Sequence, residues 1–174
     1  MTPDADPQTR EMLRTLSQLK EDSQSDVRDW ARRFEETLVR RQSPEDAAPM
    51  GKRVLIVEDD RDMCGFLADC LRDSSYQPTM AFDGITGLGL ARMLKPELVV
   101  VDLLLPGMHG FDLCETIRKA PELRACKILV STAKRFEIDR RTAMRLGADA
   151  YLSKPYPVNA FLSSVRSLIG GPAK

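Results

Sequence analysis

The sequence predicts an α/β fold, a doubly wound five-stranded parallel sheet with a helical extension before it. Three observations predict this. Apolar, β-branched runs of strand length recur at Val54-Leu55-Ile56-Val57, Leu98-Val99-Val100-Val101 and Ile128-Leu129-Val130, and continuous runs of this kind belong to strands buried on both faces. They alternate with stretches of helical period, the order of βα units that builds a parallel sheet. The runs also end in residues that carry chemistry: Glu58-Asp59-Asp60, then Asp102, then Ser131-Thr132, then Lys154 after Tyr151-Leu152-Ser153. In an open parallel sheet, ligands bind in the crevice beyond the carboxyl ends of the strands.

Taken in order, residues 1–7 are Pro- and Asp-rich and predicted to be disordered. Residues 8–41 read as a helical extension, because Leu13, Leu16 and Leu19, then Val27, Trp30, Phe34 and Leu38, fall on three-four spacing. Polar Glu21 to Asp26 between them is rich in cap formers, so one helix can stop there and another start. A heptad seam would have to include Lys20 and Ser23, which makes a poor coiled coil. The apolar stripe therefore has two readings, a helix folded onto its own domain or one that serves self-association or partner docking. The chain's only histidine is His109, so the extension cannot be a module that carries phosphate on histidine. Residues 42–51, with Ser43-Pro44 and Ala48-Pro49, read as a linker.

The main domain is expected over residues 52–170, with 171–174 as a tail. Strands are predicted at 53–57, 77–81, 97–101, 127–130 and 148–152, and helices at 61–73, 84–94, 111–119, 136–146 and 157–169. The helix at 84–94 holds Gly84, Gly87 and Gly89, each costing about 1 kcal/mol relative to Ala inside a helix, so it should be the least stable.

Composition narrows the function classes. Lys and Arg number 26, as do Asp and Glu, so the formal net charge is zero and no nucleic-acid or membrane partner is indicated. No signal peptide is evident, and the longest apolar stretch is broken by Asp102, well short of a membrane span. Cys64, Cys70, Cys114 and Cys126 form no CxxC pair and read as reduced cysteines of a cytoplasmic protein.

Acids crowded at strand ends resist joint ionisation unless they share a cation. A hard divalent ion with oxygen ligands suits the consecutive acids Glu58-Asp59-Asp60. At the spacing level the chain then resembles a known family, the receiver domains of two-component response regulators. The resemblance rests on Glu58-Asp59, Asp102, Thr132, Tyr151 and Lys154-Pro155, with 132 − 102 = 30 and 154 − 132 = 22 positions between the last key residues.

The resemblance implies the flavodoxin-like strand order 2-1-3-4-5. It makes Asp102 the phosphorylated aspartate, Thr132 and Lys154 its helpers in phosphoryl transfer, and Thr132 and Tyr151 the switch pair. Mg²⁺ would be held by Asp59, Asp102 and the Leu104 carbonyl directly, with Glu58 acting largely through a water. The Lys154-Pro155 bond would be cis. Asp60 and Asp62 would start a helix, where negative charge is favoured, and His109 would be a solvent-exposed loop residue. Two departures bear on rate. Apolar Leu104 stands where many members carry a polar side chain that places the hydrolytic water, and Lys134 stands second after Thr132.

The function implied is a phospho-accepting signalling domain, not an output enzyme, charged by a histidine kinase or histidine phosphotransfer protein and read by a downstream protein target. Twenty residues follow Lys154, so no DNA-binding or enzymatic output domain is expected after it. The rival reading is a scaffold that keeps the fold, signals without phosphorylation and uses the N-terminal helix for docking or homo-oligomer formation.

Overall fold

The computed structural model describes residues 51–171. The helical extension, nearly all of the linker and the end of the tail lie outside them. Within them the chain alternates strictly: β1 Arg53–Val57, α1 Arg61–Asp73, β2 Gln77–Ala81, α2 Gly84–Leu94, β3 Leu98–Val101, α3 Gly110–Lys119, a short 3-10 turn at Pro121–Leu123, β4 Lys127–Thr132, α4 Glu137–Arg145, β5 Ala150–Ser153 and α5 Val158–Ile169. All strand pairs are parallel, in the order β2-β1-β3-β4-β5, as expected.

The central strands are apolar throughout because both of their faces are covered. Val54, Ile56, Leu98, Val100 and Leu129 pack with Leu67 and Leu71 of α1 and with Phe161 and Val165 of α5, in one buried cluster. The alternate residues face the other helical layer, where the two methyl groups of Val57 lie so close to Gly87 of α2 that a Cβ there would sit 2.8 Å from one of them. Gly87 is thus a contact point between helix and sheet, whereas a Cβ at Gly89 would meet nothing within 4 Å.

Local side-chain chemistry sets two of the five described helix starts. Asp60 caps α1, its Oδ1 accepting from the N–H groups of Asp62 and Met63 at 3.0 Å each. Asp83 caps α2, accepting from the Thr86 N–H at 2.8 Å. These are the side-chain acceptors that orphan helix N–H groups require. Asp60 therefore has the role expected for it.

Most boundaries fall within one residue of expectation, and three places differ by more. β4 runs on to Thr132, because Ser131 and Thr132 remain in register with Leu152 and Ser153 of β5. β5 begins only at Ala150, since Asp149 is engaged in an anchor: its carboxylate accepts from Arg118 at 2.8 Å, Lys127 at 3.1 Å and the Ile128 N–H at 2.9 Å. The turn at Pro121–Leu123 had no counterpart in the sequence reading.

Candidate functional site

Adjacent strands bring the acids together. The Glu58 N–H donates to Ala81 O at 3.0 Å and the Asp102 N–H to Val57 O at 2.9 Å, so the ladders of β1 and β3 continue one residue past each strand. Glu58 and Asp102 are thereby held at the strand tips, 3% and 6% exposed, with Asp59 beside them and in solvent. A carboxylate oxygen of each lies within 4.8 Å of the others. Hard oxygen donors at this spacing fit a small divalent cation.

Lys154 enters from the β5–α5 turn. Its ammonium donates to Glu58 Oε2 at 2.5 Å and to Asp102 Oδ2 at 2.9 Å, and the Leu104 N–H donates to Asp102 Oδ1 at 3.0 Å. Both Asp102 oxygens are therefore oriented. The peptide bond from Lys154 to Pro155 is cis.

The two buried acids respond differently to this setting. Burial pushes Glu58 up to about 7, with the neighbouring carboxylates adding to the rise and Lys154 only partly opposing it. Asp102 is also desolvated, yet the donors facing it, the Leu104 N–H, Lys154 and the Thr132 hydroxyl, outweigh burial and hold it below the usual carboxylate range. Burial acts to lower Lys154, but its bonds to Glu58 and Asp102 more than compensate and its pKa is raised. The result is an ionised Asp102 beside a firmly charged ammonium.

A close approach keeps Asp102 in place from behind. A Cβ on Gly110, the first residue of α3, would stand 2.2 Å from the Asp102 carbonyl oxygen and 2.6 Å from Leu103 Cα. Only glycine lets the helix start there.

Tyr151 does not join the acid cluster; it and Thr132, whose hydroxyl also faces Asp102, meet one loop away at the backbone of Lys134. Thr132 is fully buried, and its hydroxyl oxygen accepts weakly from the Lys134 N–H at 3.4 Å. The Tyr151 hydroxyl donates to the Lys134 carbonyl at 2.9 Å. The Lys134 ammonium turns away to Asp139 at 3.3 Å and lies 5.8 Å from the Phe111 ring centroid. Just beyond, Phe136 and Ile138 are 75% and 70% exposed. Leu104 stands half exposed at the pocket rim, and His109 is exposed with no side-chain cap bond.

Three contacts were not read from the sequence. The Tyr156 hydroxyl shares a short hydrogen bond with Ser131, Arg135 Nε donates to the Lys154 carbonyl at 3.1 Å, and Gly110 abuts Asp102. The one available signal was a serine directly after the apolar run Ile128-Leu129-Val130.

Comparison with known proteins agrees with this geometry. Residues 54–166 match the family model described as the response regulator receiver domain. Over 117 residues the chain is 38% identical to the transcriptional regulatory protein BaeR of Escherichia coli O6:H1, covering 67% of this chain and 48% of that protein. It is 35% identical, with the same coverage, to the DNA-binding dual master transcriptional regulator RpaA of Synechocystis. The chain thus spans about half the length of these curated relatives.

Among solved structures, the receiver domain of sensor histidine kinase PA1611 from Pseudomonas aeruginosa is 26% identical with a TM-score of 0.65, matching 70% of this chain and all of that one; it has a magnesium ion coordinated in its active site cleft. A CheY-like receiver domain from Methanospirillum hungatei is 27% identical with a TM-score of 0.63, over 67% of this chain and 91% of that one. Among the described residues no helix is long and apolar enough to cross a membrane.

Proposed function

The chain belongs to the response regulator receiver family of two-component signalling, and from that premise we propose that it takes a phosphoryl group on Asp102 from a histidine kinase or histidine phosphotransfer protein and signals by altering a protein contact surface. One observation carries the reading. Asp102 is a buried carboxylate with one oxygen on the Leu104 N–H and the other on the Lys154 ammonium, next to two further acids.

A carboxylate is a competent nucleophile toward a phosphoryl group. The bond from an Asp102 oxygen to phosphorus forms as the bond to the donor's nitrogen or oxygen breaks, and the protein's task is positioning and charge neutralisation. Asp59, Asp102 and the Leu104 carbonyl, with Glu58 acting through a water, would hold Mg²⁺, which would supply neutralisation of charge on the phosphoryl oxygens. Lys154 leaves its carboxylates to pair with one phosphoryl oxygen, and the Thr132 hydroxyl donates to another. Drawing Thr132 toward Asp102 takes its hydroxyl from the Lys134 N–H, and Tyr151 follows through the Lys134 carbonyl. A local charge change thus biases the β4–α4 loop. The exposed Phe136 and Ile138 make that loop's surface suited to a protein target.

The test is labelling with acetyl phosphate. The wild type should be labelled in Mg²⁺ and not in excess chelator, and Asp102→Asn should not be labelled. Equal labelling of the variant would remove Asp102 from the reading. Absence of labelling in the wild type would favour a scaffold acting without phosphorylation.

A further inference from the structure

Ser131 is fully buried on β4, one residue before Thr132. It shares its face with Leu129, in the layer filled by α1 and α5. A hydroxyl there needs a partner, because a buried polar group without one is costly. That partner comes from the Tyr156 hydroxyl. The Tyr156 ring is in turn stacked on fully buried Phe161, with ring centroids 6.1 Å apart and planes 16° from parallel. Tyr156 is thus fixed at its ring by α5 and at its tip by β4.

Tyr156 lies two residues after Lys154, in the same turn. The backbone of Lys154 is tied to the same stretch of chain: its N–H donates to Thr132 O at 2.8 Å and its carbonyl accepts from Arg135 at 3.1 Å. These bonds hold the main chain at Lys154, while the Ser131–Tyr156 bond holds the far side of the turn. A side chain as long as lysine has much rotamer freedom to lose, and its ammonium must meet two separate carboxylates. Small movements of the turn are magnified at its tip.

We propose that Tyr156 is a positioning residue for Lys154, its hydrogen bond to Ser131 fixing the β5–α5 turn so that the ammonium reaches Asp102. For its effect on labelling, this inference rests on the phospho-acceptor reading; for the placement of Lys154 it does not. Tyr156→Phe removes the hydroxyl and keeps the stacked ring, so the chain retains its packing.

Two measurements test it. The first reads Lys154 directly, as the nitrogen-15 NMR signal of its ammonium group, protected from exchange by the bonds to Glu58 and Asp102. Exchange at that signal should be faster in Tyr156→Phe, and an unchanged signal overturns the proposal. The second is the acetyl phosphate labelling rate at saturating donor and Mg²⁺. It should fall about tenfold in Tyr156→Phe, since small misplacements of a catalytic group are expensive, with Mg²⁺ affinity unchanged. Ser131→Ala should give the same fall, and the double variant no further loss, because the two groups act as one unit. Additive losses, or a lowered melting temperature with wild-type labelling, overturn it. A faster-exchanging Lys154 signal in a protein whose wild type is not labelled supports the positioning role and removes the acceptor reading instead.

Discussion

The two ends of the sheet use the same residue types to opposite effect. At the amino end two cations surround one acid: Asp149 accepts from Arg118, Lys127 and the Ile128 N–H, while Arg118 also donates to the carbonyls of Gly147, Arg124 and Cys126. At the carboxyl end three acids surround one cation, leaving a formal charge of 1 − 3 = −2 among Lys154, Glu58, Asp59 and Asp102. The first arrangement satisfies nearly every group it contains and closes loops. The second leaves acceptor capacity and charge unmatched, and most of it is desolvated. Such a site is stable only in proportion to what the fold spends on it elsewhere, and it is poised to bind a cation. The contrast predicts that the amino end can be broken with loss of stability alone, and the carboxyl end with loss of binding alone.

The largest expected effect separates neighbouring acids. Asp59→Ala should weaken Mg²⁺ binding by about a hundredfold, the upper end of what losing even an outer-shell partner costs. The metal-free protein should be no less stable, since one of three like charges is gone. Asp60→Ala should leave Mg²⁺ binding intact and lose about 1 kcal/mol with the α1 cap. Titration calorimetry and urea denaturation measure the two; the reverse order for Mg²⁺ would shift the metal site by one residue.

At the other end, Asp149→Asn should cost about 2 kcal/mol, because it weakens hydrogen bonds to charged groups in a partly buried network. Chemical denaturation measures it, and Mg²⁺-dependent labelling should proceed at the wild-type rate. A labelling defect would mean that the two ends are not independent.

Smaller again is the effect at the pocket rim. Leu104→Asn places a hydrogen-bonding side chain beside Asp102 and should speed loss of the phosphoryl group about tenfold, which is 1.36 kcal/mol in the barrier. An unchanged decay of the labelled protein would show that Leu104 does not set its lifetime.

The smallest change sharpens the comparison within one helix. Gly89→Ala should stabilise by about 0.5–1 kcal/mol, the usual gain in a helix interior, because a Cβ there meets nothing. Gly87→Ala should destabilise, since its Cβ would press on Val57. Equal melting shifts for the two would contradict the packing described for α2.

These pairs also mark how far the sequence was legible. Strand β1 and helices α1 and α2 could be bounded from the sequence because an apolar run, Asp caps and helical period agree there. The end of β4 was not, because Ser131 and Thr132 look like the start of a loop until the pairing with β5 is known. The start of β5 was misplaced because nothing local reveals that Asp149 anchors three donors from elsewhere. In the pocket, Glu58, Asp59, Asp102 and Lys154 were legible because each follows a strand-like run, and parallel strands deliver their ends to one edge. The Ser131–Tyr156 bond was not, because it joins residues 25 apart and a tyrosine in that context reads as core. Gly110 escaped for a related reason: a glycine's neighbours in space leave no trace in its neighbours in sequence.

Gly110 also gives the pocket a mechanical direction. With α3 resting on the Asp102 carbonyl, the β3 edge is an unyielding wall, further braced by the Asp102 N–H on Val57 O. Opposite it, the β4–α4 loop is held only by side-chain bonds: 3.4 Å at Thr132, one tyrosine hydroxyl, and Arg135 on the Lys154 carbonyl. Load applied at Asp102 divides according to stiffness, so displacement accumulates where the structure is softest. Bulk added to the Asp102 side chain should therefore leave α3 still and move the segment that ends in Phe136 and Ile138.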